Sequence, residues 1–183
     1  MTLSMPAVLL TSALLLGQGT SPPTGRIGAP QKDAGPDTTT ATYGDWILKC
    51  QPAAGKPGQR TCEVLQSIVI QGQTGPIAQL AFGRMAPGEA LYLTAVLPTN
   101  ITLPSVVRLS IDEKDAQGAD LPWTRCLQTG CYATLPMTDA MLARWRAQDG
   151  PGRLLFKSGA GQDTVLPMSF RGLARALDAL GKD

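Results

Sequence analysis

Trp123-Thr124-Arg125-Cys126-Leu127-Gln128-Thr129-Gly130-Cys131-Tyr132-Ala133 holds two cysteines with four residues between them and a glycine just before the second. In an antiparallel hairpin with a four-residue loop, the residues flanking the loop face each other. A non-hydrogen-bonded pair there has Cα atoms about 4.5 Å apart, within disulfide reach. Gly130 stands where such a loop needs a left-handed residue to return to its strand. The stretch reads as two strands clasped by a Cys126–Cys131 disulfide.

The other two cysteines, Cys50 and Cys62, enclose eleven residues that include Pro52, Gly55, Pro57 and Gly58, so the interval reads as a loop between two strands. Four cysteines allow three pairings. The sequential pairing, Cys50–Cys62 and Cys126–Cys131, is favoured because each pair flanks a turn-rich segment. Loop entropy makes the larger clasp worth about 3 kcal/mol and the smaller about 2 kcal/mol. Zinc is the first rival, but the wide Cys50/Cys62 spacing lacks the close knuckle of zinc fingers. Unpaired core cysteines are the second.

Outward from the hairpin, short runs alternate in polarity. Trp46, Leu48 and Cys50 share one face, as do Ala78, Leu80 and Phe82, then Leu91, Leu93, Ala95 and Leu97, then Val107, Leu109 and Ile111. Cys62–Gln71 is a Val- and Ile-containing run, and Arg153–Lys157 and Thr164–Met168 join at Ser158-Gly159-Ala160-Gly161 as a last hairpin. Many short strands with regular turn signals indicate a sandwich or barrel. Two helices interrupt them. Thr138 is placed to cap one that runs to about Gln148, with Met141, Leu142 and Trp145 on one face. Ser169 is placed to cap the other, in which Phe170, Leu173, Leu177 and Leu180 form a stripe ended by Gly181. That stripe either packs on the strands or awaits a partner. The expected fold is mainly β: a disulfide-stapled antiparallel sandwich or barrel with one internal and one C-terminal helix.

The chain of 183 residues divides by composition into three parts. Residues 1–19 read as a signal peptide: Met5–Leu16 is an apolar run too short to span a bilayer, and Gly17 and Gly19 supply small residues at the −3 and −1 positions of a cleavage site. The first basic side chain is Arg26, so the amino terminus alone supplies positive charge before the run. Residues 20–42 read as a flexible leader rich in Pro, Gly and Thr, and residues 43–183 as a single β-rich domain. No later segment has transmembrane length.

Net charge is +2, from sixteen basic and fourteen acidic residues that are interspersed, which argues against nucleic acid or an anionic membrane as partner. Aromatic residues make up 5%, too few to suggest a stacking platform. The chain has no histidine, which removes Ser-His-Asp, Cys-His and His-metal chemistry. Asp112, Glu113 and Asp115 are the carboxylates placed to act as an acid/base pair, yet they share a turn with Lys114, Gln117 and Gly118 and read as solvated. No catalytic residue, metal or cofactor is expected.

Several segments together resemble a known family. They are Tyr43-Gly44-Asp45-Trp46 leading to Cys50, then Cys62, then Leu103-Pro104 before Val107-Arg108-Leu109-Ser110-Ile111-Asp112. Arg125-Cys126, Gly130-Cys131-Tyr132-Ala133 and Leu166-Pro167-Met168-Ser169-Phe170-Arg171-Gly172-Leu173 complete the set. In that order, over about Tyr43 to Leu180, the chain is similar to the invasion-associated locus B family of Gram-negative bacteria. The resemblance implies an exported, disulfide-bearing, β-rich protein, implicated in host-cell invasion through the founding member, with no catalytic residues to carry over. The resulting expectation is a non-enzymatic periplasmic, surface or secreted protein that binds a protein or other envelope component. A carboxylate-based hydrolase and a structural factor of the cell envelope are the rival readings.

Overall fold

Leu91, Leu93, Ala95 and Leu97 are buried, and the residues between them are half-buried. Strict alternation of this kind is the mark of a strand with one face in a core. A computed structural model describes residues 38–86 and 88–181. The expected signal peptide and most of the expected leader lie outside these residues. The elements are β1 (Thr39–Tyr43), β2 (Trp46–Pro52), β3 (Arg60–Ile68), β4 (Ala78–Arg84), β5 (Leu91–Leu97), β6 (Val106–Ser110), β7 (Ala119–Leu127), β8 (Gly130–Pro136), α1 (Asp139–Arg146), β9 (Pro151–Lys157), β10 (Asp163–Ser169) and α2 (Leu173–Leu180).

The ten strands form one antiparallel sheet in the order β1-β2-β3-β4-β5-β8-β7-β6-β9-β10, open at β1 and β10. β7 gives the sheet its shape. Its first half, Ala119 to Pro122, pairs with β6, and its second half, from Trp123, pairs with β8. A bulge between Trp123 and Arg125 separates the halves. An extra residue on one strand bends it and raises its twist, so the sheet turns a corner at Thr124 and its two parts can pack as a sandwich. Buried Gln66 of β3 ties the layers. Its amide nitrogen donates to the Ser169 carbonyl at 2.9 Å, and its oxygen accepts from the Ser169 N–H at 3.0 Å. Inside, Trp46, Phe82, Trp145 and Phe170 form a chain of ring contacts 5.5–6.1 Å between centroids, joining β2, β4, α1 and the segment after β10.

Both sequential disulfides are present. Cys50 faces Cys62 across β2–β3 with Cα atoms 4.1 Å apart, and Cys126 faces Cys131 across β7–β8 at 4.0 Å. The second hairpin is tighter than its cysteine spacing suggests: Leu127 pairs with Gly130, leaving Gln128-Thr129 as a two-residue loop. Gly130 has φ 145°, and a Cβ there would stand 2.7 Å from the Leu97 carbonyl oxygen, so neighbouring β5 also demands glycine.

Three boundaries differ from the sequence reading. Thr39–Thr42, grouped with the leader by composition, are strand residues paired to β2. β-Branched threonines suit an edge strand once a partner is present. Ala119–Pro122, ahead of the hairpin stretch read from Trp123, are the first residues of β7. Ser169 does not cap α2. It ends β10, and its hydroxyl is engaged by Asp45 and by the Arg171 N–H, while Gly172 at φ 86° starts the helix. Thr138 caps α1 as expected, accepting from the Met141 N–H. The α2 stripe is packed: Phe170, Leu173, Leu177 and Leu180 are all buried.

Candidate functional site

Two of the motif segments, far apart in sequence, meet. Tyr43-Gly44-Asp45-Trp46 lies against Ser169-Phe170-Arg171-Gly172. Asp45 Oδ2 accepts from Ser169 Oγ at 2.6 Å and from Arg171 Nε at 3.1 Å, and its Oδ1 accepts from Arg171 Nη2. Its N–H donates to the Arg171 carbonyl at 3.0 Å. Trp46 Nε1 donates to the Ser169 carbonyl at 2.9 Å. The bond from Arg171, then that from Ser169, holds the Asp45 carboxyl below the usual range, and Asp45 in turn raises Arg171. These bonds join the segment before β2 to the segment before α2, and the arrangement is a latch.

The acidic turn is a second fastening, and one of its carboxylates is not solvated as its composition suggests. The Asp115 side chain is 3% exposed. It accepts from the Ile111 and Gln117 N–H groups, each at 2.9 Å, and pairs with Arg144 of α1. Arg144 also donates to the Gln117 carbonyl at 2.8 Å. The Arg144 bond first, with the two backbone donors, outweighs burial and lowers the Asp115 pKa. A carboxylate held ionised and fully bonded is a poor proton donor or acceptor. Asp112 caps the Lys114 N–H, and exposed Glu113 pairs with Arg153. Asp115 and Glu113 therefore tie α1 and β9 to the turn after β6, and Asp112 closes the turn itself.

These shifts set the response to acid. A depressed folded pKa contributes stability above the unfolded value and loses it as pH falls through the folded one. The urea midpoint should stay flat from neutral pH down to about 5, then fall as pH drops past the ordinary aspartate value near 3.8. Asp115→Asn should lower the neutral-pH midpoint and flatten that acid limb. An unchanged limb in the variant would remove Asp115 as its source.

The outer face of β6, β9 and β10 is different in kind. Inward positions of these strands carry Val107, Leu109, Leu154, Phe156, Leu166 and Met168. Outward, register sets Val165 beside Leu155 and Leu155 beside Arg108. Val106 faces Pro122. Val106 and Val165 are each 44% exposed, and Leu103 in the preceding loop is 58% exposed. Ion pairs Arg108–Asp120 and Lys157–Asp163, both 2.7 Å, frame the apolar strip. A groove of about 520 Å³ runs along it between Pro104, Val106 and Leu155. Asp120 and Asp163 both line the groove, yet each is more than half exposed and cation-paired, so the water-shielded carboxylate pair of a hydrolase is not found there. Of the groove's apolar residues, Pro104 belongs to a motif segment, but Val106 and Leu155 did not stand out in sequence. Alternation marks Val106, Leu155 and Val165 as outward but cannot say that three strands bring them together.

The family model of the invasion associated locus B (IalB) protein matches residues 46–181. The fold is similar to the crystal structure of invasion associated protein b from Bartonella henselae, with a TM-score of 0.65 and 20% identity, over 79% of this chain and 95% of that one. At that identity the likeness bears on the fold alone. No curated protein matches the chain.

Proposed function

The chain belongs to the invasion-associated locus B family, and from that premise we propose that it is an exported, non-enzymatic envelope or surface protein that binds another macromolecule through the outer face of β6, β9 and β10. The observation that carries the reading is the solvent-facing strip of Val106, Leu155 and Val165, framed by ion pairs along a groove. An apolar strip with a polar rim is the anatomy of a protein interface. Two disulfides support an oxidising compartment, the periplasm or cell surface of a Gram-negative bacterium. Among the described residues, no helix is long and apolar enough to cross a membrane.

Cross-linking in living cells, followed by fractionation, tests export and binding together. The parent protein should be recovered outside the cytoplasm, linked to an envelope component. Val106→Asp with Val165→Asp should reduce that link by at least about tenfold, the equivalent of 1.4 kcal/mol, while stability moves by no more than about 0.5 kcal/mol, as for other surface changes. Equal linking by the substituted protein would remove this face as the interface. Recovery only in the cytoplasm would refute export.

A further inference from the structure

A second concave surface lies where the β2–β3 and β4–β5 loops meet the end of α2. We propose that it is a cleft for an acidic peptide segment of a partner protein. It encloses about 1010 Å³ and is lined by Lys56, Arg60 and Arg84, with no carboxylate among its described lining residues. The backbone explains why two arginines look into it. Glu63 pairs with Gly83, which continues to Cys62 opposite Arg84, with Arg60 two residues along β3. Both arginines share the inward face of Val64 and Phe82, but at the open end of the sandwich they meet solvent instead of core.

The arginines are held in place. Arg60 Nη2 donates to the Cys50 carbonyl at 2.9 Å and to Thr39 Oγ1 at 3.0 Å, and Arg84 Nη1 donates to the Glu89 carbonyl. The Arg84 guanidinium, fixed at one nitrogen, loses less freedom when it takes a carboxylate. Elsewhere Arg108, Arg144, Arg146, Arg153, Lys157 and Arg171 are each paired with an acid. Among the described residues, Lys56 and Arg84 enter no ion pair. Charges of one sign gathered on a concave surface, as Lys56 and Arg84 are here, attract the opposite charge.

The size and walls of the cleft select the kind of anion. It is far larger than a single small ion, given that a water occupies about 30 Å³. No aromatic side chain is among its described lining residues, which offer neither bases nor sugar rings a surface to stack on. Gly58, Ala86 and Gly88 in its walls allow close approach of an extended backbone. Met85, 73% exposed, and Leu180 form an apolar seat beside the cations, and an unbranched thioether adapts to varied partners. Carboxylates on a chain that also carries an apolar side chain meet all three features. The cleft shares no lining residue with the β6–β9–β10 groove, so either can fail alone.

The test is fluorescence anisotropy with the full chain and three labelled probes. These are an Asp/Glu octapeptide with a central Leu, its Asn/Gln counterpart, and a sulfated oligosaccharide. The acidic peptide should bind, weaken with added salt, and outcompete the oligosaccharide, and the neutral counterpart should bind at least about tenfold more weakly. Lys56→Gln with Arg84→Gln should weaken the acidic peptide by about tenfold or more and leave the thermal midpoint in place. Equal binding by the double variant, equal binding of the neutral peptide, or preference for the oligosaccharide would each overturn the proposal.

Discussion

Gly172→Ala is expected to cost about 2–5 kcal/mol, a large part of the 5–15 kcal/mol that holds a domain of this size. Gly172 has φ 86°, and a Cβ on it would fall 2.1 Å from the Tyr43 carbonyl oxygen. Across the same contact, Gly44 has φ 61°, and its Cβ would fall 2.5 Å from the Arg171 carbonyl oxygen. The two backbones touch because neither residue has a side chain. Alanine would add the left-handed penalty of about 1–2 kcal/mol to the cost of pushing the segments apart, about 1–3 kcal/mol for an overpacked site. Gly161 separates the two contributions: its φ is 76°, but nothing lies within 4 Å of its would-be Cβ. Gly161→Ala should therefore show the conformational penalty alone. Urea unfolding of both variants makes the comparison, and equal losses would mean that the close approach contributes nothing. Gly44→Ala and Gly172→Ala combined should cost less than the sum of each, since the first displacement opens the contact for the second.

Leu177→Ala is the second large effect, at about 2–5 kcal/mol. Leu177 is 3% exposed and lies on the α2 face that also buries Leu173, Ala176 and Leu180. α2 is eight residues long, too short to hold its own conformation in water, so its helicity depends on that packing. Arg175, exposed on the same helix, is the control, and Arg175→Ala should move stability by no more than about 0.5 kcal/mol. A loss for Leu177→Ala inside that small range would mean that the stripe does not carry the fold, and would make α2 the partner-binding element.

Most of the strands, their inward faces, both disulfides and the apolar stripe of α2 are determined by the sequence alone, because each is a local matter, whereas β1 and the start of β7 are strands only through their partners. Alternation in Leu91–Leu97 reports which side chains avoid water, and a glycine beside Cys131 reports a tight return. The resemblance also drew on Asp45 without a reason for it, and on Ser169, read as a helix cap that it is not. Tertiary structure supplied the reason. Asp45 and Arg171 stand 126 residues apart, and no period or spacing records that they meet. The same holds for buried Gln66, whose partner Ser169 lies 103 residues away, and for Asp115, which reads as solvated until Arg144 covers it. Strand order was equally hidden: β8 returns beside β5, and β9 beside β6, although other strands lie between them in sequence. A side chain's own chemistry is written at its position, whereas its surroundings depend on which distant strands become neighbours.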